Sequence, residues 1–215
     1  VGSEMCIRDR GWISPRAMRN GIIVTVLFAC LIGSALLFYA GWELIIVGLL
    51  CVLFAFLYTT GPYPLSYNGW GDVLVIVFFG FVPVGGTYYV QALTWTSDTT
   101  VASLICGLLI DTLLVVNNYR DREADARSGK RTVIVRFGEK FGRYLYLMLG
   151  VAASLLCFWF FFEGHLFAAL LPLLYLIPHV LTWRRMVQIH SGKKLNSILG
   201  ETSVSYTHLT LPTKL

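Results

Sequence analysis

Charged side chains are scarce in this 215-residue chain: Asp, Glu, Lys and Arg make up 13% of it, against 56% apolar residues. That is too little polar material to cover a water-facing surface, so an ordinary soluble fold is excluded. Cysteine and histidine clusters at metal-binding spacing are also missing. Cys6, Cys30, Cys51, Cys106 and Cys157 are scattered, four of them inside apolar runs, and His165, His179, His190 and His208 do not cluster. No zinc or haem site is visible, and the thiols read as buried structural groups. Internal repeats, low-complexity tracts and linkers between soluble domains are absent too. The net charge of +5 would suit a nucleic-acid binder if the protein were soluble. In this composition the positions of the charges report topology instead, and nucleic acid is not an expected partner.

What the chain has is long apolar runs. A bilayer core of ~30 Å takes ~20 helical residues. Six stretches approach or reach that length: Gly21–Tyr39, Leu44–Thr59, Val73–Val90, Val101–Asn118, Tyr144–Phe162 and Leu166–Trp183. The second is short, with Trp42 and Tyr58 placed as interfacial anchors. The third holds Pro83 and the sixth Pro172 and Pro178, which spans tolerate where neighbours satisfy the freed carbonyls. The expected fold class is therefore all-α, a polytopic transmembrane helix bundle with six spans here.

Alternating the connections sorts the charges. Arg16 and Arg19 precede the first span, eight basic residues lie between Arg120 and Arg143, and Arg184, Arg185, Lys193 and Lys194 follow the sixth. All fall on one side. The opposite connections carry Glu43, Asp98 and Glu163 and no lysine or arginine. The positive-inside rule makes the basic side cytoplasmic, which predicts a multi-pass protein of the cell inner membrane.

Two end segments do not extend the patterns beside them. Residues 1–10 and 203–215 resemble translated adapter sequence, so a non-native leader and tail are expected around a partial membrane domain at 11–202.

The one long polar segment carries the chemistry. Asn117, Asp121 and Asp125 recur every fourth residue and share one helix face, with Asn118 on its border. Two carboxylates and a carboxamide offer hard oxygen ligands, a set that suits magnesium completed by water and substrate phosphate. Arg120, Arg122, Arg127, Lys130, Arg131 and Arg136 follow at once, and guanidinium forks or a lysine point charge bind free phosphate oxygens. Gly129 permits a tight turn before Lys130. An ordinary solvated cytoplasmic loop accounts for these residues as well, and their pattern alone leaves both readings open.

Two blocks carry a family resemblance. NNYRDREADARSGKRTVIVRFG, residues 117–138, resembles the second aspartate-rich motif of the UbiA-type intramembrane aromatic prenyltransferases, in the form NNxRDxxxDxxxGKxTxxVRxG. YTTGPYPLSYNGWGD, residues 58–72, resembles the YTxGPxPLxYxGxGD loop of the branch that uses 1,4-dihydroxy-2-naphthoate. The resemblance implies a bundle of about nine spans and transfer of a polyprenyl group from polyprenyl diphosphate to dihydroxynaphthoate. Carboxylate would be lost, giving demethylmenaquinone, with Mg2+ as cofactor. It implies Asn118, Asp121 and Asp125 as metal ligands, with Asp121, Asp125 and Lys130 carrying the catalysis. Asn117, Arg120, Arg131 and Arg136 would serve the diphosphate, and Tyr58, Tyr67 and Asp72 the acceptor side. A Gly/Pro turn with interfacial tyrosines remains the alternative for this last group. A related transferase with another aromatic acceptor, and a transporter or lipid-binding membrane protein, are the competing functions.

The family's earlier NDxxDxxxD motif does not occur in this sequence. About two spans at the front and one at the back are expected to be missing, and the 215 residues alone are expected to be inactive. Asp111 stands apart, mid-span and seven residues before Asn118, so nearly on the same face. An aspartate there costs roughly 2.5–3.5 kcal/mol on insertion scales, so it is expected to face the bundle interior or to be protonated. A place in the chamber and an interhelical hydrogen bond are both open to it.

Overall fold

Every apolar run becomes a helix, and no strand occurs among the described residues. The computed structural model describes residues 13–192 and 194–210; the expected leader, residues 1–10, lies outside them. The chain divides into two compact units, Val1–Leu57 and Tyr58–Leu215.

The first unit holds α1 (Pro15–Phe38) and most of α2 (Glu43–Thr59). Ser14 caps α1, its Oγ accepting from the Ala17 N–H at 3.2 Å, and Pro15 sits at the first position, where no N–H is needed. α2 has 17 residues and is the shortest of the six apolar helices, as its sequence predicts. Neither helix buries a residue. Their large side chains are those of a surface made for hydrocarbon.

The second unit contains α3 (Gly71–Ala92), α4 (Ser97–Arg127), α5 (Val133–Phe137), α6 (Glu139–Phe162), α7 (Leu166–Ile189) and α8 (Leu195–Thr210). With α1, the helices α3, α4, α6 and α7 are long and apolar enough to cross a membrane. α8 continues past Thr202, the expected limit of the native segment.

α4 is the central helix, with α3, α5, α6 and α8 packed around it. Thr96 starts it, accepting from the Thr99 N–H. Near its middle α4 crosses α3 backbone to backbone. A Cβ on Gly107 would lie 2.9 Å from the Ile76 carbonyl oxygen, and one on Gly80 would collide with the Ser103 carbonyl. Small residues at a crossing let two helices approach this closely, which is how membrane helices gain packing energy. α3 is π-wound from Ile76 to Gly85. Pro83, which has no N–H to donate to the helix ladder, lies inside this wider winding.

Towards the polar end of α4, Val115, Val116, Tyr119, Ile134, Tyr146, Met186, Leu195 and Ile198 make one continuous core. That core joins α4 to α5, α6, α7 and α8 and holds the polar end of α4 in place. Beside it lies a buried polar cluster. His179 stacks between Tyr146 and Tyr175, in space that Gly150 leaves free. Its Nε2 faces the Tyr146 and Leu147 carbonyls at 3.2 and 3.4 Å, so that nitrogen carries the proton. Nδ1 lies 3.0 Å from the Tyr175 hydroxyl, within hydrogen-bond reach. On the outer faces, Val73, Phe79, Leu155, Phe162, Leu174 and Leu181 are exposed, as contact with lipid tails requires.

Candidate active site

At 31 residues α4 is about 46 Å long, against a hydrocarbon core of about 30 Å. Its apolar part ends at Asn118, so the turns that follow project beyond the core. They carry the first cluster.

Arg120 organises that cluster. Its Nε and Nη2 donate to Asp121 Oδ1 and Oδ2 at 2.8 and 2.7 Å, a two-pronged grip on one carboxylate. Nη2 also donates to Asn117 Oδ1 at 2.6 Å, and Nη1 donates to Asn196 Oδ1 on α8 at 3.0 Å. Asn118 is buried.

One turn further, Asp125 meets Lys130, with Nζ 3.5 Å from Oδ2. The chain reverses to bring them together. Gly129 takes φ +76°, which suits glycine, and the Lys130 N–H donates to the Asp125 carbonyl at 2.9 Å. Asp125 lies beyond the membrane-spanning part of α4. Burial pushes its carboxyl upward from the usual range, and the Lys130 ammonium pulls it back.

The second block docks directly onto the first. The Arg131 N–H donates to the Tyr67 carbonyl at 2.8 Å. Gly69, at φ +80°, lies under the Arg136 guanidinium, whose carbon would be 3.6 Å from a Cβ there. Ser66 Oγ donates to the Tyr58 carbonyl at 2.6 Å and holds the loop against the end of α2. Gly71 sits between the Leu114 side chain of α4 and the Tyr58 hydroxyl. Asp72 opens α3, and Asp72, Asp111 and Tyr58 lie within electrostatic range of one another.

Residues 58–72 and 117–136 therefore form one neighbourhood. Not every expected side chain points into it. Tyr67 contributes its carbonyl while its ring is exposed, and Arg131 and Arg136 are exposed.

Other polar contacts were not read from the sequence. Asn196 is one. A second is a knot behind the site, where Glu139 accepts from the Tyr119 hydroxyl and from Arg122, and pairs with Arg143 and His190. Arg122 also covers the Tyr119 ring at 4.5 Å. Glu139 is the one acid between Arg127 and Arg143, and that isolation was the available signal. Asn196 carries none.

Among the described residues no three His, Cys, Asp or Glu side chains converge as a metal site. The donors at the end of α4 are all oxygens, from two carboxylates and the neighbouring carboxamides. Magnesium takes one or two carboxylates and fills its other positions with water and phosphate, so this set fits it. The grip of Arg120 leaves each Asp121 oxygen a further lone pair.

The family model described as the UbiA prenyltransferase family matches residues 7–199. Among curated proteins, a 1,4-dihydroxy-2-naphthoate octaprenyltransferase of Escherichia coli (strain K12) is 37% identical over 155 residues, covering 69% of this chain and 50% of that protein. The protein of the same name from Haemophilus influenzae is 38% identical over 180 residues, 77% of this chain and 58% of its own length. That of Mycobacterium leprae is 39% identical over 142 residues, 66% and 48%. The chain thus spans about half the length of the curated relatives it matches. No solved structure matches it. The two blocks that meet at the end of α4 lie inside the matched region, and the chain belongs to the UbiA prenyltransferase family.

Proposed function

We propose that these helices carry the diphosphate-binding cluster and part of the acceptor wall of a magnesium-dependent transferase. Its reaction moves a polyprenyl group from polyprenyl diphosphate to 1,4-dihydroxy-2-naphthoate, with loss of the carboxylate as carbon dioxide, giving demethylmenaquinol, the reduced form of demethylmenaquinone. The observation that carries the reading is the end of α4, where Asp121 is paired with Arg120 and Asp125 with Lys130, at the edge of an apolar bundle. The names of the relatives supply the substrates.

Asn118, Asp121 and Asp125 would hold magnesium, which when bound neutralises charge on the departing diphosphate. Lys130, Arg120, Arg131 and Arg136 bind the remaining phosphate oxygens. Asn117 and Asn196 aim the Arg120 guanidinium. Because the bases already stand beside the acids, the charge that receives a diphosphate is in place before it arrives, which is what electrostatic catalysis requires. Tyr58, Tyr67 and Asp72 flank the aromatic acceptor. The apolar side chains of α3 and α4 keep water from the allylic cation, whose capture by the ring forms the new bond. The basic loops face the cytoplasm across a bacterial inner membrane.

The test is an assay of membranes carrying the full-length enzyme with dihydroxynaphthoate, a polyprenyl diphosphate and Mg2+, in a host without its own activity. Prenylated product that disappears on chelation is expected. Product with other aromatic acceptors but not with dihydroxynaphthoate would overturn the acceptor. No product with any acceptor would overturn the reaction class.

A further inference from the structure

Asp111 is 1% exposed, sits in the apolar half of α4, and its Oδ1 has no hydrogen-bond partner among the described residues. An orphaned carboxylate oxygen in a membrane interior is costly and needs a reason. An interhelical hydrogen bond would be the ordinary one, and at Oδ1 there is none among the described residues. The neighbouring hydroxyl of Thr112 is committed to the Leu109 carbonyl at 2.6 Å. No basic residue lies between Asp98 and Tyr119 to neutralise it.

Its position is informative. Residues 111, 118 and 125 are seven apart and fall on one face of α4, so Asp111 continues the metal and diphosphate face about two turns deeper. Asp72 at the start of α3 and the Tyr58 phenol at the end of α2 lie within electrostatic range of it. Of these three polar groups, Asp111 is the one that is buried with an unused acceptor. What completes such a place is a neutral hydrogen-bond donor.

We infer that Asp111 Oδ1 accepts the hydrogen of a phenolic hydroxyl on the aromatic acceptor and holds that proton during transfer. The inference rests on the function proposed above. The O–H bond breaks towards Asp111, and its electron pair feeds the ring. The ring carbon ortho to that oxygen bonds to the first prenyl carbon, whose C–O pair leaves with the diphosphate. The ring is then a keto acid. Loss of carbon dioxide returns an electron pair to the ring, and Asp111 gives the proton back to the oxygen. Atoms and charge balance without a further reactant, and Asp111 ends as it began.

Two variants in the full-length enzyme separate the parts of this role. Asp111→Asn still offers an oxygen but takes no proton, so kcat should fall by at least about tenfold with the acceptor KM nearly unchanged. Asp111→Leu removes the acceptor atom, so the acceptor KM should also rise by about tenfold while the KM for prenyl diphosphate stays put. Insertion and thermal stability are read alongside. A well-inserted Asp111→Leu with kcat and acceptor KM within twofold of wild type would overturn the inference, as would a change confined to the diphosphate KM. Should neither variant insert, wild type decides: binding of an O-methylated dihydroxynaphthoate should be at least about tenfold weaker than that of the free phenol, and equal binding overturns the assignment. Wild type that never prenylates dihydroxynaphthoate would sink the proposed function itself. Normal wild-type activity with unaffected variants would sink only the role of Asp111.

Discussion

Arg120 grips both oxygens of Asp121, its immediate neighbour in the chain. Adjacent helical residues point about 100° apart, so the guanidinium has to fold back along α4. Asn117 below it and Asn196 across from it hold it there. The acid and the base are thus fixed as a unit.

The carboxylates should act in turnover and not in folding. Both are partly exposed and paired with bases at the membrane edge. Asp121→Asn and Asp125→Asn in the full-length enzyme are expected to lower turnover by at least about 100-fold, the scale of losing one preorganised charge at a transition state. Expression and membrane insertion should stay near normal. Turnover within a fewfold of wild type for both would contradict the metal and diphosphate assignment.

Asn196 should matter through Arg120. Asn196→Ala removes one of the hydrogen bonds that aim the guanidinium, a loss of about 1 kcal/mol, or roughly fivefold. The expected effect is a rise of that size in the KM for prenyl diphosphate, with the acceptor KM unchanged. In an Arg120→Ala background the same substitution should have no further effect. A double-mutant cycle measures this, and full additivity would show that the two residues act separately.

The crossing of α3 and α4 should be intolerant of volume. Gly80→Leu forces side-chain atoms into the Ser103 and Gly107 backbone and should destabilise by about 1–3 kcal/mol or more. Gly86→Ala, a few residues on and facing open space, is the control. Thermal unfolding in detergent should separate the two, and equal midpoints would show that the crossing is not close-packed.

Topology can be tested with single cysteines in a cysteine-free background. A cysteine at Ser128, after the polar end of α4, should react with an impermeant reagent only once the cytoplasmic face is opened. One at Ser97, at the other end of the same helix, should react in intact cells. Labelling of position 128 in intact cells would reverse the orientation.

Much of this was legible in the sequence because membrane physics writes it in one dimension. Apolar length located each helix, and the short run at 44–59 became the shortest apolar helix. The i,i+4 spacing of Asn117, Asp121 and Asp125 put them on one helix face, the face proposed above to bind metal and diphosphate. What could not be read were contacts that depend on where another helix ends up. Nothing about Asn196 says that it will meet Arg120, 76 residues away, because packing of Leu195 and Ile198 into the core decides it. The π-winding of α3 was equally hidden. Pro83 announces a disturbance, but whether the helix kinks, breaks or widens depends on its neighbours.

The join between the two halves of the site is a main-chain hydrogen bond, from the Arg131 amide to the Tyr67 carbonyl. Such a bond is blind to side chains. Drift at position 67 or 131 can reshape the rim of the site without unfastening the loop from the helix end. Only proline at 131, or a side chain that Gly69 cannot host beneath Arg136, breaks the join directly. Fastening and the chemistry of the rim are therefore inherited separately, and a lineage can change the side chains at the rim while keeping the frame that joins the loop to the helix end.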